Sequence, residues 1–191
     1  MQRLYDILEY NRNFVENRAY EPYRTSRYPN KKLVVLSCMD TRLTELLPHA
    51  MNLRNGDAKF IKNAGAVVSH PFGSIMRSIL VAVYELGASE VYVIGHHDCG
   101  MTSIDPKETV RKMTERGVST TAIDALGNAG INLQAWFRRI ASIPESVRES
   151  VSLIKGHPLM PKDLHVHGLV IDPETGRLDL VVDGYAADPR E

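Results

Sequence analysis

The sequence predicts an α/β fold, a mainly parallel β-sheet flanked by helices with an N-terminal helical arm. Three features lead there. Short apolar runs, LVVLS (33–37) and VYVIG (91–95), and a candidate strand, AKFIK (58–62), recur with longer segments between them. This is the pattern of buried parallel strands joined by helical crossovers. LHVHGLVIDPETGRLDLVV (164–182) sets two strand-like runs around an Asp-Pro-Glu-Thr-Gly turn. Residues 2–19 space Leu4, Ile7, Leu8, Phe14 and Val15 at helical intervals.

In chain order, 2–19 is therefore an amphipathic helix. The polar, proline-bearing YEPYRTSRYPNKK that follows is an exposed connection. LVVLS is β-branched and short, which suits a strand covered on both faces. The turn-like NGD announces AKFIK as the next strand. A helix is expected from Pro71 to Leu86, with Ser69 as its cap, Pro71 near its first position and Gly87 at its end. VYVIG is a further buried strand. Residues 103–145 read as mixed and largely helical, without clean punctuation. No internal repeat or second domain is visible, so 1–191 is one domain, with 1–30 as its helical arm and connection.

The chain has 191 residues, enough to bury a core. Lys+Arg and Asp+Glu are both 23, and this balance offers nothing to nucleic acid or an anionic membrane. MQRLYDILEY lacks the long apolar core of a signal peptide. No apolar run approaches the ~20 residues of a membrane span. A cytoplasmic protein is the expectation. Two cysteines cannot form a disulfide scaffold, and a reducing compartment favours thiolate or metal chemistry.

Both cysteines stand behind predicted strands. Cys38 follows LVVLS, and Cys99 lies in GHHDCG (95–100), where His96 and Cys99 form an H-x-x-C pair after VYVIG. In an open α/β sheet, ligands gather beyond the carboxyl ends of strands. Were these two strands neighbours, Cys38, His96 and Cys99 would converge as one imidazole and two thiolates, a set suited to tetrahedral zinc. A cysteine behind an apolar strand also serves as a small buried hydrophobe, so the residues leave metal ligation and packing both open. His97 is a competing ligand at a less suitable separation from Cys99.

Cys2His leaves a fourth position. Asp40, two residues past Cys38, is able to fill it and close the site. Arg42 opposes this, because its planar fork pairs bidentately with a carboxylate. Held by Arg42, Asp40 stays off the metal and accepts a hydrogen bond from a water in the fourth position. The plainer alternative for Asp40 and Arg42 is an ion pair at a helix start.

Cys38-Met39-Asp40-Thr41-Arg42, Gly95-His96-His97-Asp98-Cys99-Gly100, KNAGA (62–66) and HGLVIDPETGRLDLV together resemble the β-class carbonic anhydrases, and HDCGM looks like their smaller branch. The similarity runs from about Lys31 to Gly184. It implies zinc on Cys38, His96 and Cys99, with Asp40 and Arg42 as the catalytic dyad. It implies reversible hydration of carbon dioxide to bicarbonate. It also implies a homodimer or dimer of dimers in which N-terminal helices embrace the partner and the interface lines an apolar substrate pocket. Lys62 and Thr41 stand where many members have Arg and Ser.

Around this core, Asn63 and Gly65 are candidates to reach substrate through the turn after AKFIK, with a plain strand-to-helix turn as the alternative. Asp98 is expected to shape the loop. His165 and His167 share one strand face, and His70 and His97 are candidate proton carriers. Two further functions compete. One is a zinc hydrolase of carbonyl sulfide or carbon disulfide. The other is a non-catalytic zinc-stabilised binding protein with Asp40 permanently on the metal. A redox dithiol is disfavoured, since Cys38 and Cys99 are not a C-x-x-C pair.

Overall fold

The computed structural model describes residues 3–186. The predicted start of the arm at Gln2 and the end of the domain past Ala186 lie outside them. The strands are β1 (Leu33–Cys38), β2 (Ala58–Asn63), β3 (Glu90–His96), β4 (His165–Ile171) and β5 (Leu178–Val182). They form one sheet in the order β2-β1-β3-β4-β5. All neighbours are parallel except β4 and β5, which form the antiparallel pair around the Asp-Pro-Glu-Thr-Gly turn. Asp172 builds that turn by accepting the N–H groups of Glu174 and Thr175. The expected fold class is observed.

The helices are α1 (Arg3–Glu16), α2 (Leu43–Ala50), α3 (Ser74–Tyr84), α4 (Pro106–Glu115), α5 (Thr120–Asn128), α6 (Leu133–Trp136) and α7 (Ile143–Lys155). α3 is shorter than the Pro71–Leu86 expected. Pro71 and Phe72 are spent on a turn closed by Gly73 N–H donating to the His70 carbonyl at 3.1 Å. The helix follows, with Gly73 at its cap position and no side-chain cap, so Ser69 does not cap it. Gly87, at φ +71°, does lead the chain away beyond its end.

The 103–145 segment is punctuated after all. Asp105, Ser119, Asn132 and Ser142 each accept a backbone N–H two or three residues on, capping α4, α5, α6 and α7 in turn. Helix α2 follows Arg42, where the sequence allowed a helix start without giving it a range, and α7 has no counterpart in the sequence reading. Both are amphipathic: α2 buries Leu43 and Leu47, and α7 buries Val147, Val151 and Ile154 at a three-to-four-residue spacing.

Two layers cover the sheet. On one face, Val34, Leu36, Val91, Val93, Val166 and Val170 pack with α3 and α7. On the other, Val35, Ile94 and Ile171 pack with Leu43 and Leu47 of α2. α7 approaches β3 and β4 closely because glycines lie beneath it. A Cβ at Gly168 would stand 2.7 Å from Val147 Cγ1, and one at Gly95 2.7 Å from Ile143 Cγ2. Helix α1 buries no residue: Leu4 and Ile7 are 62% and 65% exposed, and Leu8 and Val15 about half. No helix of the described residues is long and apolar enough to cross a membrane.

The glycine contact yields a test. Gly168→Val forces a branched side chain into Val147, and such overpacking costs about 1–3 kcal/mol. The urea midpoint is expected to fall with the slope unchanged; an unaltered midpoint would show that α7 does not depend on this close approach.

Candidate metal centre

β1 and β3 lie side by side and run the same way, so their carboxyl ends meet at one edge of the sheet. Chain order reverses between these two strands, the position where open α/β sheets form sites. Cys38 is the last residue of β1 and His96 the last of β3, with Cys99 three residues beyond. The structure brings all three together, with their ligand atoms within 4.8 Å of one another and all three residues buried. The two sulfurs are 3.9 Å apart, too far for a disulfide bond at about 2.05 Å.

Each donor is prepared by its neighbours. His96 Nδ1 lies 2.8 Å from the His97 carbonyl, which can only accept, so Nδ1 carries the proton. Nε2 therefore presents its lone pair to the cysteines, and it is buried with no hydrogen-bond partner among the described residues. Gly65 N–H donates to Cys38 Sγ at 3.4 Å. Gly65 has φ +84°, which favours glycine, and a Cβ there would also press on Ile140 Cδ1 at 2.5 Å. Asn63 sets the turn around it. Its amide donates to the Val67 carbonyl, and its carbonyl oxygen accepts the Val67 N–H. The Asn63 side chain is thus committed to backbone, while Gly65 stands directly against a donor sulfur.

The electrostatics separate the two thiols. Burial pushes Cys38 up, but His96 and the N–H groups of Gly65 and Asp40 together outweigh it and bring the thiol down to about 7. Burial also dominates at Cys99, where the opposing Met101 N–H is insufficient and the thiol rises to about 11. The Cys38 sulfur in turn raises His96.

Asp40 and Arg42 sit on the loop between β1 and α2. Arg42 Nε and Nη2 donate to the two oxygens of Asp40 at 3.0 and 2.9 Å, and Arg42 N–H adds a third bond at 2.9 Å. These bonds hold the Asp40 carboxyl down at about 2, against partial burial. Asp40 Oδ2 nonetheless lies only 3.8 Å from His96 Nε2. The carboxylate faces the donor cluster while both of its oxygens are engaged elsewhere.

This donor set fits a tetrahedral ion. Two thiolates about 2.3 Å from a shared metal at the tetrahedral angle stand about 3.8 Å apart, close to the observed separation. The orphaned imidazole nitrogen supplies the third donor. A buried polar atom without a partner is costly, and a metal would satisfy it.

The family profile described as carbonic anhydrase matches residues 33–178, a span that contains all three donors and both members of the Asp40–Arg42 pair. The chain belongs to the β-carbonic anhydrase family. It is 60% identical to the Bacillus subtilis protein named "Putative carbonic anhydrase YtiB" across 97% of this chain and 99% of that one. It is 29% identical to a carbon disulfide hydrolase of Acidithiobacillus thiooxidans, over 87% of this chain and 78% of that one. The crystal structure of β-carbonic anhydrase isoform I from Trichomonas vaginalis superimposes with a TM-score of 0.86 at 30% identity, covering 97% of this chain and all of that one.

Other sequence candidates lie apart from the donors of this β-carbonic anhydrase fold. His97 is half-exposed and 3.7 Å from Asp179. His165 and His167 start β4 at the opposite end of the sheet, where His167 stacks on Tyr92 and meets the Tyr185 ring edge-on. His70 accepts the Phe72 N–H in the turn before α3. What the sequence reading missed is the part played by Asp98, whose carboxylate and carbonyl both reach Arg42. Its only signal was the aspartate inside H-x-x-C.

Metal binding must remove the thiol protons. With Cys38 near 7 and Cys99 near 11, the thiols release close to two protons on binding well below pH 7 and close to one between pH 7 and 11. Titration with Co(II) in buffers of different ionisation heat is expected to show affinity rising with pH, steeply below 7 and less steeply above. An affinity flat from pH 6 to 9 would contradict the assignment of both thiols as ligands.

Proposed function

We propose that the protein catalyses the zinc-dependent, reversible hydration of carbon dioxide to bicarbonate and a proton. One observation carries this reading. Asp40 faces the donor cluster at 3.8 Å from His96 Nε2, yet Arg42 occupies both of its oxygens. A three-donor set with a restrained carboxylate at its fourth position is the arrangement of a catalytic, open site. A purely structural site would be closed by that carboxylate. Zinc bound by Cys38, His96 and Cys99 would supply the Lewis acidity that ionises a water, at a pKa above the ~7 of three-histidine sites because two thiolates offset the charge of the metal.

The roles of the chain's own residues follow from their chemistry. Asp40 is ionised throughout the physiological range and can only accept, so it would accept a hydrogen bond from the attacking oxygen and aim that oxygen's lone pair at carbon. Arg42 keeps Asp40 in that pose. Gly65 and the Asn63-built turn form the neighbouring wall, in this reading the side from which carbon dioxide arrives. A cytoplasmic setting keeps both thiols reduced.

The same chemistry suits carbon disulfide or carbonyl sulfide, and the 29% identical carbon disulfide hydrolase favours retaining that second reading. Zinc analysis combined with stopped-flow hydration of carbon dioxide, repeated on carbon disulfide, separates the two. About one zinc per chain with carbon dioxide turnover supports the proposal; turnover of carbon disulfide alone transfers the assignment to that hydrolysis. Zinc without turnover of either leaves the non-catalytic binding protein.

A homodimer is proposed as the minimal unit, with a dimer of dimers as a larger form. The exposed apolar stripe of α1, Leu4, Ile7, Leu8 and Val15, leaves water if it docks on a second copy. Removing residues 1–19 is expected to yield a dissociated, less active protein by light scattering at micromolar concentration. A fully active monomeric truncation would reject this.

Cys38→Ser, His96→Ala and Cys99→Ser should each lose zinc and activity together. Arg42→Ala and Asp40→Asn should keep zinc and fold but lower kcat by on the order of 100-fold. Activity of the parent should rise towards alkaline pH. Near-normal turnover by both dyad variants from pH 7 to 9 would reduce Asp40–Arg42 to an incidental ion pair.

A further inference from the structure

The Asp40–Arg42 pair alone does not explain why Arg42 stays where it is. The two residues are neighbours on one loop, and the Arg42 side chain is 37% exposed. The bidentate geometry makes the pair strong, but it fixes the guanidinium only relative to its own loop, and it is a network of several charges that makes a partly exposed pair persistent. A third group changes this. Arg42 Nη1 donates to Asp98 Oδ2 at 3.0 Å, and Arg42 Nη2, besides its bond to Asp40, donates to the Asp98 carbonyl at 3.1 Å. Four of the five guanidinium N–H groups are then used, two towards Asp40 and two towards Asp98.

Asp98 belongs to the other donor-bearing loop, between His96 and Cys99. Its backbone is left-handed at φ +52°, a conformation that Asp and Asn tolerate better than most residues. The preceding residue is tied to β4 by His97 N–H donating to the Ile171 carbonyl at 3.0 Å. The Asp98 carboxylate is itself 86% exposed and stands outside the donor cluster, so neither packing nor metal ligation accounts for it. What it contacts is Arg42.

We propose that Asp98 is a positioning residue, a strut that fixes the Arg42 guanidinium so that Arg42 can hold Asp40 off the fourth metal position. It acts through Arg42 and touches neither substrate nor metal. The strut also joins the Cys38 loop to the His96–Cys99 loop, so the pose of Asp40 is set from across the strand boundary. The consequence for turnover rests on the carbon dioxide reading above; the strut itself does not.

The test uses the zinc-loaded full chain labelled with ¹⁵N, with the Arg42 Nε–Hε signal assigned through Arg42→Lys. Asp98→Ala, Asp98→Gly and Asp98→Asn are compared. Glycine keeps the carbonyl and the left-handed backbone but loses the carboxylate, and asparagine keeps a neutral acceptor. Loss of a charge-assisted bond should speed Arg42 Hε exchange by about tenfold or more in the alanine and glycine variants, with asparagine intermediate. At pH 7, kcat should fall about 10- to 100-fold in those two variants while KM and zinc content hold, as for outer residues that orient a metal site. Asparagine should recover part of the loss.

Parental exchange in both the alanine and glycine variants would overturn the proposal. So would a glycine variant matching the parent while alanine does not, since backbone strain would then be the whole effect. If the parent itself does not hydrate carbon dioxide, the exchange measurement still decides the strut, and only the proposed reaction falls.

Discussion

The parallel pairing of β1 with β3 is the constraint on which the site depends. Leu33 to Ser37 run in register with Glu90 to Ile94, so both strands terminate at the same edge. Two distant chain segments then deliver the last residues of their strands to one buried point. Cys38 and His96 are the terminal residues of the strands themselves and inherit the rigidity of the sheet; Cys99 needs only the short loop. A one-residue slip would turn Cys38 or His96 to the other face, because side chains alternate along a strand. The register is protected by burial on both sides, with valines against α3 and α7 and with Val35 and Ile94 against α2.

That placement has an electrostatic price. Two thiols and an imidazole nitrogen are taken from water, and the imidazole Nε2 finds no partner among the described residues. Unmatched polar burial costs about 1–3 kcal/mol per group, and a metal on these donors would recover it. The loops supply what the core cannot. The Gly65 N–H supports one sulfur, the His97 carbonyl selects the imidazole tautomer, and Arg42 neutralises the carboxylate nearest the cluster. The result is an asymmetric pair of thiols, one lowered and one raised, beside an aspartate held far below its ordinary range.

A second consequence is that Asp40 stands between the donor cluster and Arg42. Its Oδ2 is 3.8 Å from His96 Nε2 and 2.9 Å from Arg42 Nη2. Bidentate, charge-assisted bonds to arginine are among the stronger polar contacts, and here they engage both oxygens of a carboxylate that faces the donor cluster. The restraint is shared between loops, since Arg42 is gripped from both the β1 and the β3 side.

Much of this was legible along the chain. LVVLS and VYVIG identified themselves as strands because buried parallel strands need unbroken apolar runs; AKFIK, an edge strand with two lysines and no buried residue, was announced by the NGD turn before it, and the Asp-Pro-Glu-Thr-Gly turn has its own local chemistry. The donors were legible because both cysteines stand directly behind such runs, one at ligand spacing from a histidine. Helices α2 and α7 were less visible. α2 is short and carries Pro48, and the apolar stripe of α7 is diluted by Glu145, Arg148, Glu149 and three serines. The start of α3 was misplaced because Pro71, a good first helical residue, was taken up by the turn closing on His70. By itself the sequence determined which residues could serve as donors and which segments were strands, since both are properties of local composition. Only the tertiary structure decided that β1 and β3 are neighbours, that Gly65 backs Cys38, and that Asp98 grips Arg42. Those contacts join positions 27 and 56 residues apart, and no local spacing rule encodes a distance that the sheet order alone creates.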